Sequence, residues 1–206
     1  MVSFDEIFAF KGIIFDLDGT LVNSEPSHLL AWNEVCKKYN LPLMTLEFMQ
    51  HIGGVSTANI CKMYCKEHHR DDLDTDKVAK EKIEIYKQKF MLDVQMNTHI
   101  SSILIKAHEK GIKTSIATGS QLPETKFLLE KHGLLDKVDA IVSSDQVKHC
   151  KPAPDTYLLA AECLGVEPKN CLVFEDTPIG LQGIKAAKMT ALQVFQDKII
   201  SDFIRP

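Results

Sequence analysis

The 206-residue chain carries 24 Lys and Arg against 28 Asp and Glu, a net charge of −4, with 45% hydrophobic and 25% charged residues. These are the averages of a soluble globular protein, which excludes a collagen, a coiled coil and a disordered tail, and no apolar run approaches the ~20 residues that span a bilayer. The mildly acidic balance offers no basic face to nucleic acid, and the length suits one good-sized domain, or one domain with a smaller one inserted.

In chain order, MVSFDEIFAFKG has two acids before its first lysine, unlike the charged start of a signal peptide. Residues 10–18 (FKGIIFDLD) begin as a short β-branched and aromatic run and end in acids, which predicts a first strand. From there to about residue 95 the pattern is helix after helix. Ser24 is placed to cap a helix whose Pro26 falls in the first turn, with Leu29, Trp32, Val35, Cys36 and Tyr39 on one face. Pro42 follows its end. A Gly53-Gly54 break precedes a helix from Ser56 carrying Ile60, Met63 and Tyr64, and another runs through Ala79, Ile83, Tyr86 and Phe90. Cys61, Cys65 and His69 would share a helix face, with His68 beside them. A second ligand pair is missing, so the stretch reads as an ordinary polar helix and not as a zinc site. The six cysteines, Cys36, Cys61, Cys65, Cys150, Cys163 and Cys171, are irregularly spaced. Without an export signal they predict reduced thiols in the cytoplasm.

After residue 95 the texture changes. Ile100, Ile103, Leu104 and Ala107 form a helical stripe that Gly111 ends. Then come the strand KTSIAT (113–118), a helix around Phe127–His132 stopped by Gly133, and the strand AIVSS (140–144). A helix from Pro154 to Leu164 stops at Gly165; the strand CLVFED (171–176), a helix from Pro178 and the strand ALQVF (191–195) follow. Alternating strands and helices predict a Rossmann-like parallel sheet with helices on both faces. Residues 1–22 and 96–206 would form this α/β core, and 23–95 an inserted helical cap.

Ligands of an open parallel sheet bind beyond the carboxyl ends of its strands. Here those ends read Asp16-Leu17-Asp18-Gly19-Thr20, Thr118-Gly119-Ser120, a loop with Lys151-Pro152, and Glu175-Asp176. Carboxylates gathered so closely raise one another's pKa unless a cation sits among them, and an all-oxygen set open to a phosphate suits Mg²⁺. A lysine and a threonine beside it suit a phosphoryl group. Asp16 and Asp18, two apart on an extended strand end, point the same way. One can attack phosphorus while the other moves protons.

DLDGTLVNSEP (16–26), IATGS (116–120), KPAPD (151–155) and FEDTPIG (174–180) resemble, in order and spacing, the four motifs of the haloacid dehalogenase superfamily, in its β-phosphoglucomutase-like branch. The resemblance covers essentially the whole chain. It implies Asp16 as nucleophile and metal ligand, and Asp18 as general acid/base that lends its backbone carbonyl to the metal. It implies Thr118, Gly119 and Lys151 around the phosphoryl group, Asp176 on the metal, and Glu175 on it directly or through water. For the cap it implies that His28 contacts the active site, that Gly54 belongs to a specificity loop, that Lys82 reaches toward the sugar, and that Asn23 and Ser24 lie at the hinge. Thr57 departs from the pattern, because the mutases place an arginine there, and a threonine cannot replace its bidentate charge on a second phosphate.

The expected activity is therefore a Mg²⁺-dependent phosphatase of small phosphorylated metabolites, sugar phosphates foremost, acting as a monomer in the cytoplasm without nucleic acid or membrane. A β-phosphoglucomutase and a non-catalytic binding protein on the same scaffold are the alternatives.

Overall fold

The computed structural model describes residues 2–52 and 54–206; Gly53, half of the expected break, lies outside them. After a short helix, α1 (Phe4–Ile7), strands β1 (Gly12–Phe15), β4 (Lys113–Ala117), β5 (Ala140–Val142), β6 (Cys171–Glu175), β7 (Thr190–Phe195) and β8 (Lys198–Ile199) form one sheet in the order β5-β4-β1-β6-β7-β8. The first five are parallel, with β1 central between Thr114 of β4 and Leu172 of β6 at Ile13. Only β8 turns back against β7. The turn uses Gln196 and Asp197 at positive φ (46° and 61°), the conformation that tight hairpins need. This two-residue edge strand lies beyond the last strand expected from the sequence, 191–195.

The alternation along β1 shows why the strand reads as one apolar run. Ile13 and Phe15 pack with Ile100, Ile103 and Leu104 of α6 (Thr98–Glu109) and Leu128 and Leu129 of α7 (Leu122–Lys131). Ile14 packs on the opposite face with Tyr157, Ala160 and Leu164 of α8 (Asp155–Leu164) and Ile184 of α9 (Pro178–Ala186). Both faces are covered, so no position is left polar. Truncating Ile14 to Ala would cost about 2–5 kcal/mol.

Between β1 and α6 the chain crosses to a second body of structure and back through a two-stranded antiparallel ribbon, β2 (Val22–Asn23) against β3 (Gln95–Met96), with Val22 opposite Met96 and Asn23 opposite Gln95. Among the described residues the elements between are helices: α2 (Glu25–Lys38), α3 (Leu46–His51), α4 (Thr57–Glu67) and α5 (Thr75–Ile85), which widens into a π-helical turn, Tyr86–Phe90, and a short 3₁₀ turn. These helices bury a cluster of their own around Trp32, Val35, Ile60, Cys61, Tyr64, Val78 and Ala79.

Several local expectations change. Ser24 precedes α2, but its side chain makes no capping bond; its hydroxyl turns to Asp18 instead. The buried face of α4 is Ile60, Cys61, Tyr64 and Cys65, while Met63 is 51% exposed. The helix through Phe90 is α-helical only to Ile85. His69 lies beyond the end of α4 at φ +53°, off the face that Cys61 and Cys65 share. Among the described residues no helix is long and apolar enough to cross a membrane.

Candidate active site

The carboxyl ends of β1, β4 and β6 and the loop after β5 meet at one rim. Asp16, Lys151 and Glu175 are all nearly inaccessible to solvent. Lys151 Nζ donates to Asp16 Oδ1 (2.7 Å) and to Glu175 Oε2 (2.9 Å). Glu175 also accepts from Tyr157 Oη (2.7 Å) and from the Thr177 hydroxyl (2.6 Å) and backbone N–H (3.0 Å). Thr20 Oγ1 donates to Asp176 Oδ1 (3.0 Å). Gly19 makes this packing possible: it sits at φ +83°, and a Cβ there would lie 2.1 Å from Asp176 Oδ2.

Asp16 and Glu175 thus share one ammonium, with the Asp176 carboxylate close by. Burial, and then the Glu175 charge, push the Asp16 carboxyl up to about 8, and Lys151 only partly opposes them. Asp176 is raised by burial, by Glu175 and by Asp16. Glu175 moves the other way: burial would raise it, but Lys151 and the hydroxyl donors hold it below the usual range. One oxygen from each of Asp16, Glu175 and Asp176 lies within 4.8 Å of the others. Hard oxygen donors short of positive charge are the donor set that a small divalent cation requires, so these residues fit a metal.

Asp18 stands beside this cluster in a different environment. Its Oδ1 accepts from Ser24 Oγ (2.5 Å) and faces His28 Nε2 at 3.4 Å; its Oδ2 accepts from Ser120 Oγ (2.6 Å), with Thr118 Oγ1 at 3.5 Å. Burial would raise its pKa, but the His28 contact and the two serine bonds overcome that and hold it ionised. His28 stacks on Tyr86 (centroids 4.1 Å apart), and its Nδ1 lies 2.7 Å from Lys82 Nζ. Lys82, on a stretch whose Lys and Glu content suggests a solvated face, is instead 2% exposed. Its ammonium sits 5.4 Å from the Trp32 ring centroid and 5.1 Å from that of Tyr86.

The turn before α4 closes the cleft from above. Gly54, at φ +83°, lies against Lys151 and Thr177, and its carbonyl oxygen is 2.7 Å from where a Cβ of Gly119 would be. Thr57, half-buried at the start of α4, lines the same cleft as Asp16, Asp18, His28, Lys82 and Ser120. The structure therefore brings every core candidate together, with His28, Gly54, Thr57 and Lys82 at the cleft that faces them. Tyr157, Thr177 and Ser120, which bond to the site's acids, and Glu25, which lines the cleft, carry no role in the sequence expectations. Ser120 was visible within its motif, and Glu25 lies in the first. Tyr157 carried no signal beyond the apolar stripe of α8.

Parallel sheet, strand-end acids and helical insert together define a class. The chain belongs to the haloacid dehalogenase-like hydrolases, whose family model matches residues 13–194, and it is an enzyme of that family's phosphatase type. It is 37% identical over 185 residues to a fructose-1-phosphate phosphatase of Escherichia coli (strain K12), covering 90% of this chain and 96% of that one. It is 26% identical over 200 residues to a β-phosphoglucomutase of Bacillus subtilis (strain 168), covering 90% and 84%. Its fold matches a crystal structure of β-phosphoglucomutase from Clostridium difficile with a TM-score of 0.81, at 24% identity over 89% of this chain and 84% of that one.

Proposed function

We propose that the protein is a Mg²⁺-dependent phosphatase of small phosphorylated metabolites, sugar monophosphates foremost, with residues 23–95 acting as a cap on a core of 1–22 and 96–206. The separate hydrophobic cluster of the helical segment and its attachment by two short strands support that division. Lys151 occupies Asp16 Oδ1, which leaves Oδ2 as the nucleophilic oxygen. Its bond to phosphorus forms as the bond to the leaving oxygen breaks, and Asp18, ionised in the free enzyme, gives that oxygen a proton it takes up from solvent when the substrate's negative charge enters the cleft. Water then attacks the aspartyl phosphate, Asp18 takes the water's proton, and the Asp16 carboxylate is released with inorganic phosphate. Thr118, Gly119 and Lys151 hold the phosphoryl oxygens. Mg²⁺, held by Asp16, Asp176 and the Asp18 carbonyl, would offset their charge and polarise the phosphoryl group. Glu175 already accepts four hydrogen bonds, which favours its reaching the metal through water.

One observation carries phosphatase over mutase: arginine is absent from the cleft. The chain has two arginines in all, Arg70 and Arg205. Arg70 is tied to Asp72 and to the Tyr39 carbonyl, and Arg205 lies over Phe203. A mutase must hold a sugar bisphosphate in two orientations, and the residue best suited to a second phosphate is missing here. ³¹P NMR with Mg²⁺, β-glucose 1-phosphate, fructose 1-phosphate and a trace of glucose 1,6-bisphosphate tests the reading. Free phosphate is expected; glucose 6-phosphate without free phosphate would make the protein a mutase.

A further inference from the structure

Asn97 is a nearly buried polar residue that the chemistry at the strand ends leaves without a task. It follows β3, where the chain leaves the helical segment, and stands immediately before α6. An asparagine in that place is well suited to cap the helix with its own side chain, yet it makes no capping bond. The N–H groups such a cap would serve are already taken. Asp197, at the tip of the β7–β8 hairpin, accepts from His99 N–H at Oδ2 and from Ile100 N–H at Oδ1, each at 2.9 Å. The helix dipole favours a carboxylate at that end as well.

Relieved of its own helix, Asn97 turns to the loop after β1. Its Nδ2 donates to the Gly19 carbonyl (3.0 Å) and the Thr20 carbonyl (2.9 Å). Its backbone N–H donates to the Leu21 carbonyl (2.8 Å), which also accepts from Ser101 Oγ (3.3 Å). Three consecutive carbonyls, just beyond Asp16 and Asp18, thus end on one residue, and both protons of its amide are used. Thr20 and Leu21 are fully buried, which leaves their carbonyls dependent on these donors. The loop in turn holds Asp176, through the Thr20 hydroxyl at 3.0 Å and the close packing of Gly19.

We propose that Asn97 is a positioning residue, which fixes the loop after β1 and through it the placing of Asp18 and Asp176, and that Asp197 frees it for this task by capping α6 in its stead. The effect on turnover rests on the phosphatase reading above; the hold on the loop does not.

Asn97→Asp separates this role from that of a helix cap. Aspartate matches asparagine in size and caps a helix about equally well, but it has no donor for the two carbonyls and sets a negative oxygen against them. Amide hydrogen exchange of the metal-free protein reads the loop directly. The reporters are Gly19 N–H, bonded to the Val22 carbonyl, and Leu21 and Val22 N–H, both bonded to the Leu17 carbonyl. Exchange at these three amides should be about tenfold faster or more in Asn97→Asp, with the amides of β1 unchanged. On a sugar monophosphate kcat should fall about tenfold to a hundredfold, the cost of displacing reacting groups by an ångström or less. KM should stay within about threefold, because Thr118, Gly119 and Lys151 are untouched. Asp197→Ala alters neither Asn97 nor the loop and guards against a variant that fails to fold. With the His99 and Ile100 N–H groups left open, the Asn97 side chain returns to its own helix, and exchange at Gly19, Leu21 and Val22 should rise again. Wild-type exchange at those amides in either folded variant, or wild-type kcat in Asn97→Asp, would overturn the proposal. If the wild type hydrolysed no phosphate ester, the phosphatase reading would fall, and the exchange rates would still decide what Asn97 does.

Discussion

Lys82→Met should make the protein more stable and less active at once. The side chain is 2% exposed and its ammonium titrates at about 8 against an ordinary 10.5. At about 1.4 kcal/mol per pH unit, holding that charge costs the native state roughly 3 kcal/mol at pH 7. An amine whose folded pKa lies below its unfolded value binds fewer protons when folded. The cost is therefore full below about 8, shrinks as pH rises toward 10.5, and is gone above it. Methionine keeps the length and volume without the charge. Chemical denaturation at pH 7 should show a gain of up to about 3 kcal/mol, with Tm higher by about 6 °C or more for a chain of this size. The difference between the two proteins should vanish near pH 10.5. Comparing variant with wild type cancels the opposite pull of Cys36, Cys61 and Cys171, whose thiols burial pushes up to about 11, 12 and 11. Activity should fall about tenfold, because His28 loses the donor that orients it. A variant no more stable than wild type at pH 7, or a difference that persists unchanged at pH 10.5, would refute the reasoning.

The remaining predictions concern the cluster and the closing loop. Lys151→Met leaves Asp16 and Glu175 without the ammonium they pair with; it should lose about 3–5 kcal/mol of stability at pH 7, part of it recovered on adding Mg²⁺, as denaturation with and without the ion will show. Gly119→Ala puts a methyl 2.7 Å from the Gly54 carbonyl oxygen, so closure should suffer and kcat/KM should fall about tenfold or more with little change in Tm. Thr57→Arg should raise the ratio of phosphoryl transfer to hydrolysis on β-glucose 1-phosphate; an unchanged ratio would remove Thr57 from the argument.

The core was legible because its strands are short, apolar and buried on both faces. Their last residues could then stand out as Asp16, Thr118 and Glu175. The cap was legible only in outline. β2 and β3 are two residues each, too short to carry a period, and α3 is six residues, less than two turns and too short for a helical period to show. Lys82 shows where composition misleads: its neighbours are Lys and Glu, yet it falls on the stripe Val78, Ala79 and Tyr86, at steps of four, three and four, and that stripe is buried. Periodicity places the side chain correctly where local charge does not. Tyr157 and the role of Ser24 lay beyond any local signal, because their partners are distant in sequence or around a tight turn. Such contacts follow from the sheet order, which a single sequence does not display.

The central claim is that Asp16 is the nucleophile of a hydrolytic reaction. Asp16→Asn keeps the shape and removes the attacking oxygen anion, and with it one of the two carboxylates that pair with Lys151. Turnover of a sugar monophosphate by this variant, measured beside its Tm, is the direct test. The account predicts a loss of roughly 10⁴-fold or more in a protein at least as stable as wild type. Hydrolysis at near wild-type rates by the folded variant would contradict it.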